Sequence, residues 1–145
     1  MITLELGERA SHFSVDGQPL TGPLPLGATL LRERWLRHDP PQPQELEAAI
    51  EAVEDVVMQL HRALPAGDTL RVLAPAGRPA PFAPLMQART REELEALFNR
   101  AAAIAQGRPA SSDPVLADPE VVAALVILRE VMHHLGFTQL QFAQR

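Results

Sequence analysis

The sequence contains no lysine, no cysteine and no tyrosine, and all 13 of its strongly basic residues are arginine. Without lysine the chain has no lysine Schiff base, no lysine general base and no phosphate-binding loop of the Walker type. Without cysteine it has no thiolate nucleophile, no zinc–thiolate site and no iron–sulfur cluster. Such a bias also arises from GC-rich coding, so these absences limit the possible mechanisms without selecting one.

Aromatic residues are also scarce, at 4%, although hydrophobic residues make up 46% of the 145 residues. The core must therefore be aliphatic, and a chain of this length buries roughly 70% of its unfolded surface in one domain, residues 1–145. The net charge of −5 opposes binding to nucleic acid. No apolar run approaches the roughly 18 residues of a membrane span, and no signal peptide is recognisable. The sequence predicts a cytoplasmic protein that binds neither nucleic acid nor membrane.

Alternating apolar and polar residues predict an N-terminal β-hairpin. Residues 1–6 alternate with the period of a half-buried strand, and a second strand from Ser11 to Val15 ends at Asp16-Gly17. This dipeptide tolerates the positive φ values of a tight turn. Two further strands are predicted from Thr69 to Ala74 and from Phe137 to Phe142.

Four helices are predicted from apolar periodicity and capping residues. They span Ala28 to Arg37, Pro43 to Leu64, Thr90 to Gly107 and Asp118 to Gly136. The fourth contains eight consecutive apolar residues, so we expect it at the centre of the structure. Strands and helices without a βαβ rhythm predict an α+β fold, in which a small, mainly antiparallel sheet packs against about four helices. A four-helix bundle with strand-like ends is the alternative.

The last predicted helix carries a carboxylate and an imidazole on one face. Glu130 and His133 stand three residues apart, which is half of the motif that di-iron bundles repeat on two helices. Only one copy is present. We therefore interpret His133 and His134 as histidines of a last helical turn, where the helix dipole favours positive charge.

Other polar groups also have ordinary structural interpretations. His38-Asp39 resembles the adjacent His-Asp pair of metal-dependent phosphohydrolases over two residues, but Pro40 follows at once and ends any helix there. Glu54 lies beside the apolar stripe of the second helix, where acidic residues form a solvated flank. No serine stands in a Gly-x-Ser-x-Gly elbow and no glycine-rich nucleotide loop is present. No catalytic residue and no cofactor are predicted.

These observations predict a non-enzymatic accessory or protein-interaction domain that self-associates as a homodimer. Its two strongly apolar helices offer more aliphatic surface than one monomer of this size needs, and self-association buries such surface. Exposed tryptophan and arginine anchor many interfaces. The candidate interface residues are Trp35, Arg34, Val122, Val126 and Phe82.

Two alternatives remain open at this stage. The first is a metal-dependent hydrolase or metal-binding protein that uses Glu130 and His133, with His38, Asp39 and Glu54 as further ligands. The second is a small-molecule carrier with an apolar pocket between the sheet and the fourth helix. Arg78 or Arg89 would then stand at the mouth of that pocket.

Overall fold

A computed structural model describes residues 1–74 and 85–143 and contains a five-stranded sheet with five helices. The strands are β1 (Ile2–Glu5), β2 (His12–Val15), β3 (Gln18–Pro19), β4 (Thr69–Leu73) and β5 (Gln139–Ala143). The helices are α1 (Ala28–Trp35), α2 (Pro43–Val57), α3 (Arg91–Ala105), α4 (Pro114–Ala117) and α5 (Pro119–Leu135). The predicted α+β class is confirmed.

The sheet has the strand order β3-β2-β1-β4-β5 and is mixed. The pairs β1–β2 and β2–β3 are antiparallel, whereas β1–β4 and β4–β5 are parallel. The sheet is thus less antiparallel than expected, because helices lie between β1 and β4 and between β4 and β5. These helices bring the chain back across the sheet, so β4 starts at the same end as β1, and β5 at the same end as β4. Helix α5 packs against α1, α2 and α3, so these helices form one layer.

Several local predictions are visible in the backbone. Asp16 and Gly17 have φ values of 49° and 82° and join β2 to β3 in a tight turn. Asp118 caps the start of α5, where its side chain accepts a hydrogen bond from the Glu120 N–H. Gly136 ends the same helix in the left-handed conformation, with φ at 78°.

The connection between β1 and β2 packs tightly against the start of α1. The buried Ser11 hydroxyl donates to the Leu26 carbonyl at 2.5 Å and accepts from the Gly7 N–H at 3.0 Å. A Cβ atom on Gly27 would lie 2.3 Å from the Glu8 carbonyl oxygen, so only glycine fits there. That carbonyl also accepts from the Leu30 N–H at 3.1 Å. The N–H of Leu30 in the first turn of α1 is therefore bonded by the connection between β1 and β2.

Helix α5 lies at the centre of the structure, as predicted. Each residue from Val121 to Leu128 is at most 2% exposed, because α5 packs against α1, α2 and α3. Its other buried neighbours include the apolar side of the sheet, formed by residues such as Leu4, Leu70 and Leu140. Among the described residues, no helix combines the length and the apolar composition that crossing a bilayer requires.

The two edges of the sheet differ from open edge strands. The β3 edge is two residues long and ends on Pro19, which has no N–H to offer. At the other edge, residues 89–91 run antiparallel to the start of β5. The Leu140 N–H donates to the Arg89 carbonyl, and the Arg91 N–H donates to the Thr138 carbonyl, both at 3.0 Å.

Candidate functional site

Three metal-ligating side chains meet where α2 packs on α5. Glu54 lies on α2, and Glu130 and His134 lie on α5; one ligand atom from each falls within 4.8 Å of the other two. His134 Nε2 is 3.3 Å from Glu130 Oε1 and 3.8 Å from Glu54 Oε2. We call these three residues the acid–histidine cluster.

Helix geometry explains how the sequence brings the cluster together. Glu130 and His134 are four residues apart, so they lie above one another on the same face of α5. The buried Val53 belongs to the apolar stripe of α2, which packs against α5, and Glu54 is the next residue in the chain. The packing that forms the core therefore also sets Glu54 beside the other two ligands.

The three ligands differ in their access to water. The Glu130 side chain is only 4% exposed, whereas those of His134 and Glu54 are 19% and 38% exposed. A buried carboxylate requires hydrogen bonds or a counter-charge. Arg129 supplies both, since its Nη1 donates to Glu130 Oε2 at 2.8 Å.

Arg129 is itself fixed by α3. Its Nε and Nη2 donate to the two oxygens of Glu95, at 2.7 and 3.2 Å, and its guanidinium carbon lies 4.0 Å from the centre of the Phe98 ring. Burial lowers the pKa of Arg129, but the bonds and charges of Glu95 and Glu130 outweigh this effect, so the pKa is raised overall. The guanidinium stays charged at every accessible pH.

A groove of about 530 Å³ runs between α3 and α5, and none of the three cluster residues lines it. Arg129 and His133 line it, and each is the chain neighbour of a cluster residue. The rings of His133 and His134 meet edge to face at 5.0 Å. The remaining lining residues are Arg91, Glu92, Glu95, Ala96 and Asn99. The groove thus offers two guanidinium groups and an imidazole, and it is linked to the cluster through the Arg129–Glu130 hydrogen bond and the His133–His134 ring contact.

This arrangement fits a divalent cation. Carboxylate oxygens and a neutral imidazole nitrogen are the usual protein ligands of zinc and related ions. Three protein ligands leave coordination positions for water or substrate, which is the pattern of catalytic rather than structural metal sites.

The structure distributes the metal-ligand candidates of the sequence unequally. It brings Glu54 and Glu130 together, but their imidazole partner is His134, whereas His133 is exposed in the groove. The spacing of four residues between Glu130 and His134 is the signal that the sequence interpretation missed, because it considered the spacing of three.

His38 and Asp39 do not join the cluster. His38 is exposed and its Nδ1 lies 3.1 Å from Glu45 Oε2, while Asp39 lines a different cavity at the start of α5. Burial raises the pKa of Glu45, but hydrogen bonds from the Gln42 and Arg37 backbone and from His38 outweigh it and lower the pKa overall. The His38 region is therefore a helix-capping contact.

Of the remaining candidates in the described residues, some are exposed and others are buried. Trp35 is 40% exposed and Arg34 is exposed, but Val122 and Val126 are buried within the chain. The Arg89 guanidinium donates to the Met86 and Ala88 carbonyls, at 2.6 and 3.2 Å. Two candidates, Phe82 and Arg78, fall outside the described residues.

The fold is similar to that of several solved phosphatases. Over 99% of this chain it matches 52% of the Ppx/GppA phosphatase of Aquifex aeolicus, with a TM-score of 0.73 and 16% identity. It also matches an exopolyphosphatase from Cytophaga hutchinsonii, with a TM-score of 0.67, 15% identity and coverage of 99% and 52%. For an exopolyphosphatase-like protein, the TM-score is 0.66, the identity 14% and the coverage 99% and 55%. The chain spans about half the length of these structures.

No family model matches the sequence, and no curated protein matches it. The predicted non-enzymatic accessory or interaction domain is wrong on this comparison, because the solved structures with a similar fold include a phosphatase and an exopolyphosphatase. The predicted homodimer loses most of its basis as well. It rested on the two strongly apolar helices and on Trp35; the apolar residues of α2 and α5 are largely buried by the chain's own elements, whereas Trp35 is 40% exposed.

Proposed function

We propose that this chain is a metal-dependent hydrolase of phosphoric esters or anhydrides, with Glu54, Glu130 and His134 as its metal ligands. The observation that carries the proposal is the convergence of these three side chains within 4.8 Å. The fold adds the substrate class, since the solved structures that share it include a phosphatase and an exopolyphosphatase.

The charge balance around the cluster favours a cation. Arg129 is shared between Glu95 and Glu130, so its single positive charge does not neutralise both carboxylates. Glu54 adds a further negative charge. A divalent cation held by the three side chains would offset this negative excess.

The groove between α3 and α5 would hold the substrate. Arg91 and Arg129 line it, and guanidinium groups bind phosphate oxygens through paired hydrogen bonds. Glu92 and Glu95 offset these charges, so an anionic substrate depends on the cation at the cluster for the rest of its attraction. A cation with open positions lowers the pKa of bound water and thereby supplies the nucleophile.

The test is metal content and phosphate release by the whole chain. Protein purified without chelator should contain about one equivalent of transition metal, or should bind Mn²⁺ or Zn²⁺ at that stoichiometry. With the metal it should release inorganic phosphate from p-nitrophenyl phosphate or tripolyphosphate. Removal of the metal with EDTA should abolish the release, and addition of the metal should restore it.

Glu130→Gln and His134→Ala should reduce both metal content and phosphate release. Asp113→Asn is the matched control, since Asp113 is also a little-exposed carboxylate paired with an arginine, but it lies outside the cluster. Wild-type protein that binds none of these metals, or Glu130→Gln protein that releases phosphate at the wild-type rate, would contradict the proposal.

A further inference from the structure

We infer that Arg129 is a positioning residue that turns one carboxylate oxygen of Glu130 towards the acid–histidine cluster; this inference rests on the proposed function. The two oxygens of Glu130 have different partners. Oε2 accepts from Arg129 Nη1 at 2.8 Å, and Oε1 lies 3.3 Å from His134 Nε2. Because Arg129 occupies Oε2, the other oxygen is the one presented to a cation.

The orientation of Arg129 does not depend on Glu130 alone. Two bonds to Glu95 and the contact with the Phe98 ring, both on α3, hold the guanidinium plane. The Arg129 side chain is 27% exposed and that of Glu95 is 42% exposed, so these contacts are partly shielded from water. The position of α3 therefore sets Arg129, and Arg129 sets the carboxylate of Glu130.

Lysine could not replace this group. The five N–H donors of a guanidinium lie in one rigid plane, so Arg129 can bind both oxygens of Glu95 and one oxygen of Glu130 at once. An ammonium carries three donors on a flexible stem without a fixed plane, so it would not hold the two carboxylates in the same orientation. Outer partners of this kind orient metal ligands, and their loss typically weakens metal affinity roughly 10- to 100-fold.

The experiment is a titration of the full chain with Co²⁺, followed by the visible absorption of the bound ion. Arg129→Met should weaken Co²⁺ binding roughly 10- to 100-fold and change the absorption band, because the Glu130 carboxylate is no longer held. Arg129→Lys should bind Co²⁺ more tightly than Arg129→Met but should not show the absorption band of the wild type. Arg100→Met is the matched control: Arg100 also lies on a helix and pairs with a carboxylate, Asp113, at 2.8 Å. It should bind Co²⁺ as the wild type does.

The outcomes separate this inference from the proposed function. If the wild type binds no Co²⁺, both fail. If it binds Co²⁺ and Arg129→Met binds it within twofold of the wild-type affinity with the same band, the inference is overturned and the metal site stands. Should Arg129→Met not fold, Glu95→Gln replaces it as the test variant. This substitution weakens the contacts that hold Arg129 on α3 and keeps the positive charge of Arg129. Glu95→Gln should then weaken Co²⁺ binding several-fold, and unchanged binding would overturn the inference.

Discussion

The hydroxyl of Ser11 should contribute strongly to stability, and Ser11→Ala measures that contribution. The side chain is buried, and its oxygen both donates to the Leu26 carbonyl and accepts from the Gly7 N–H. Alanine fills nearly the same space but makes neither bond. The substitution therefore leaves a carbonyl and an N–H without partners where the β1–β2 connection meets the start of α1.

The expected loss follows from these two groups. An unsatisfied buried polar group costs about 1–3 kcal/mol. The Leu26 carbonyl belongs to a residue that is 1% exposed, so its cost is at the upper end. Gly7 is partly exposed, so water can bind its N–H and the cost is at the lower end. The sum is about 4 kcal/mol, which lowers the Tm of a chain of this size by roughly 8–16 °C.

Urea unfolding followed by circular dichroism gives the free energy of unfolding directly. Ser14→Ala is the matched control, since Ser14 lies on β2 three residues away and is partly exposed. It should change the free energy of unfolding by no more than about 0.5 kcal/mol. If Ser11→Ala is as stable as Ser14→Ala, the two hydrogen bonds do not hold the hairpin against α1 and the reasoning fails.

Three further predictions concern a carboxylate, a glycine and an arginine. Burial raises the pKa of Glu45 but hydrogen bonds outweigh it, so the folded pKa lies below the ordinary value of 4.5. The carboxylate therefore stabilises the fold above that pH, and this contribution is lost as the pH falls through the folded pKa. Glu45→Gln should cost about 1 kcal/mol at pH 7, and urea unfolding at lower pH should show this difference disappear. Gly27→Ala should destabilise by at least about 2 kcal/mol in the same assay, since its Cβ would overlap the Glu8 backbone. Under the proposed function, Arg91→Ala should raise the KM for tripolyphosphate several-fold with little change in kcat. The control Arg108→Ala, at an exposed arginine, should leave both constants unchanged. If Arg91→Ala has the same KM and kcat as Arg108→Ala, Arg91 does not bind the substrate.

Local structure was predictable because its signals are local. The positive φ values at Asp16 and Gly17, the Asp118 cap and the Gly136 stop depend on a few neighbouring residues. The direction of β4 and β5 was not predictable in the same way. Strand periodicity shows which face is apolar and does not show which strand is the partner, so parallel pairing across helices leaves no local mark.

The candidate site was half predictable for a related reason. Both His133 and His134 lie close to Glu130 on a helix, at spacings of three and four. The rotation of α5 about its axis decides which of the two histidines lies towards Glu54 on α2. An amphipathic helix reveals its rotation through its polar face, but Val121 to Leu128 are apolar on all sides. The same uniformity suggested a homodimer, because the sequence does not show that three helices and a sheet surround this segment.

The covered sheet edge bears on how this chain would aggregate. Residues 89–91 occupy the hydrogen-bonding groups at the start of β5, so a strand from another molecule can pair along the whole of β5 only after this segment detaches. Growth of an intermolecular β-structure is thereby coupled to a local opening event. Hydrogen exchange at the Leu140 amide would report how often that opening occurs.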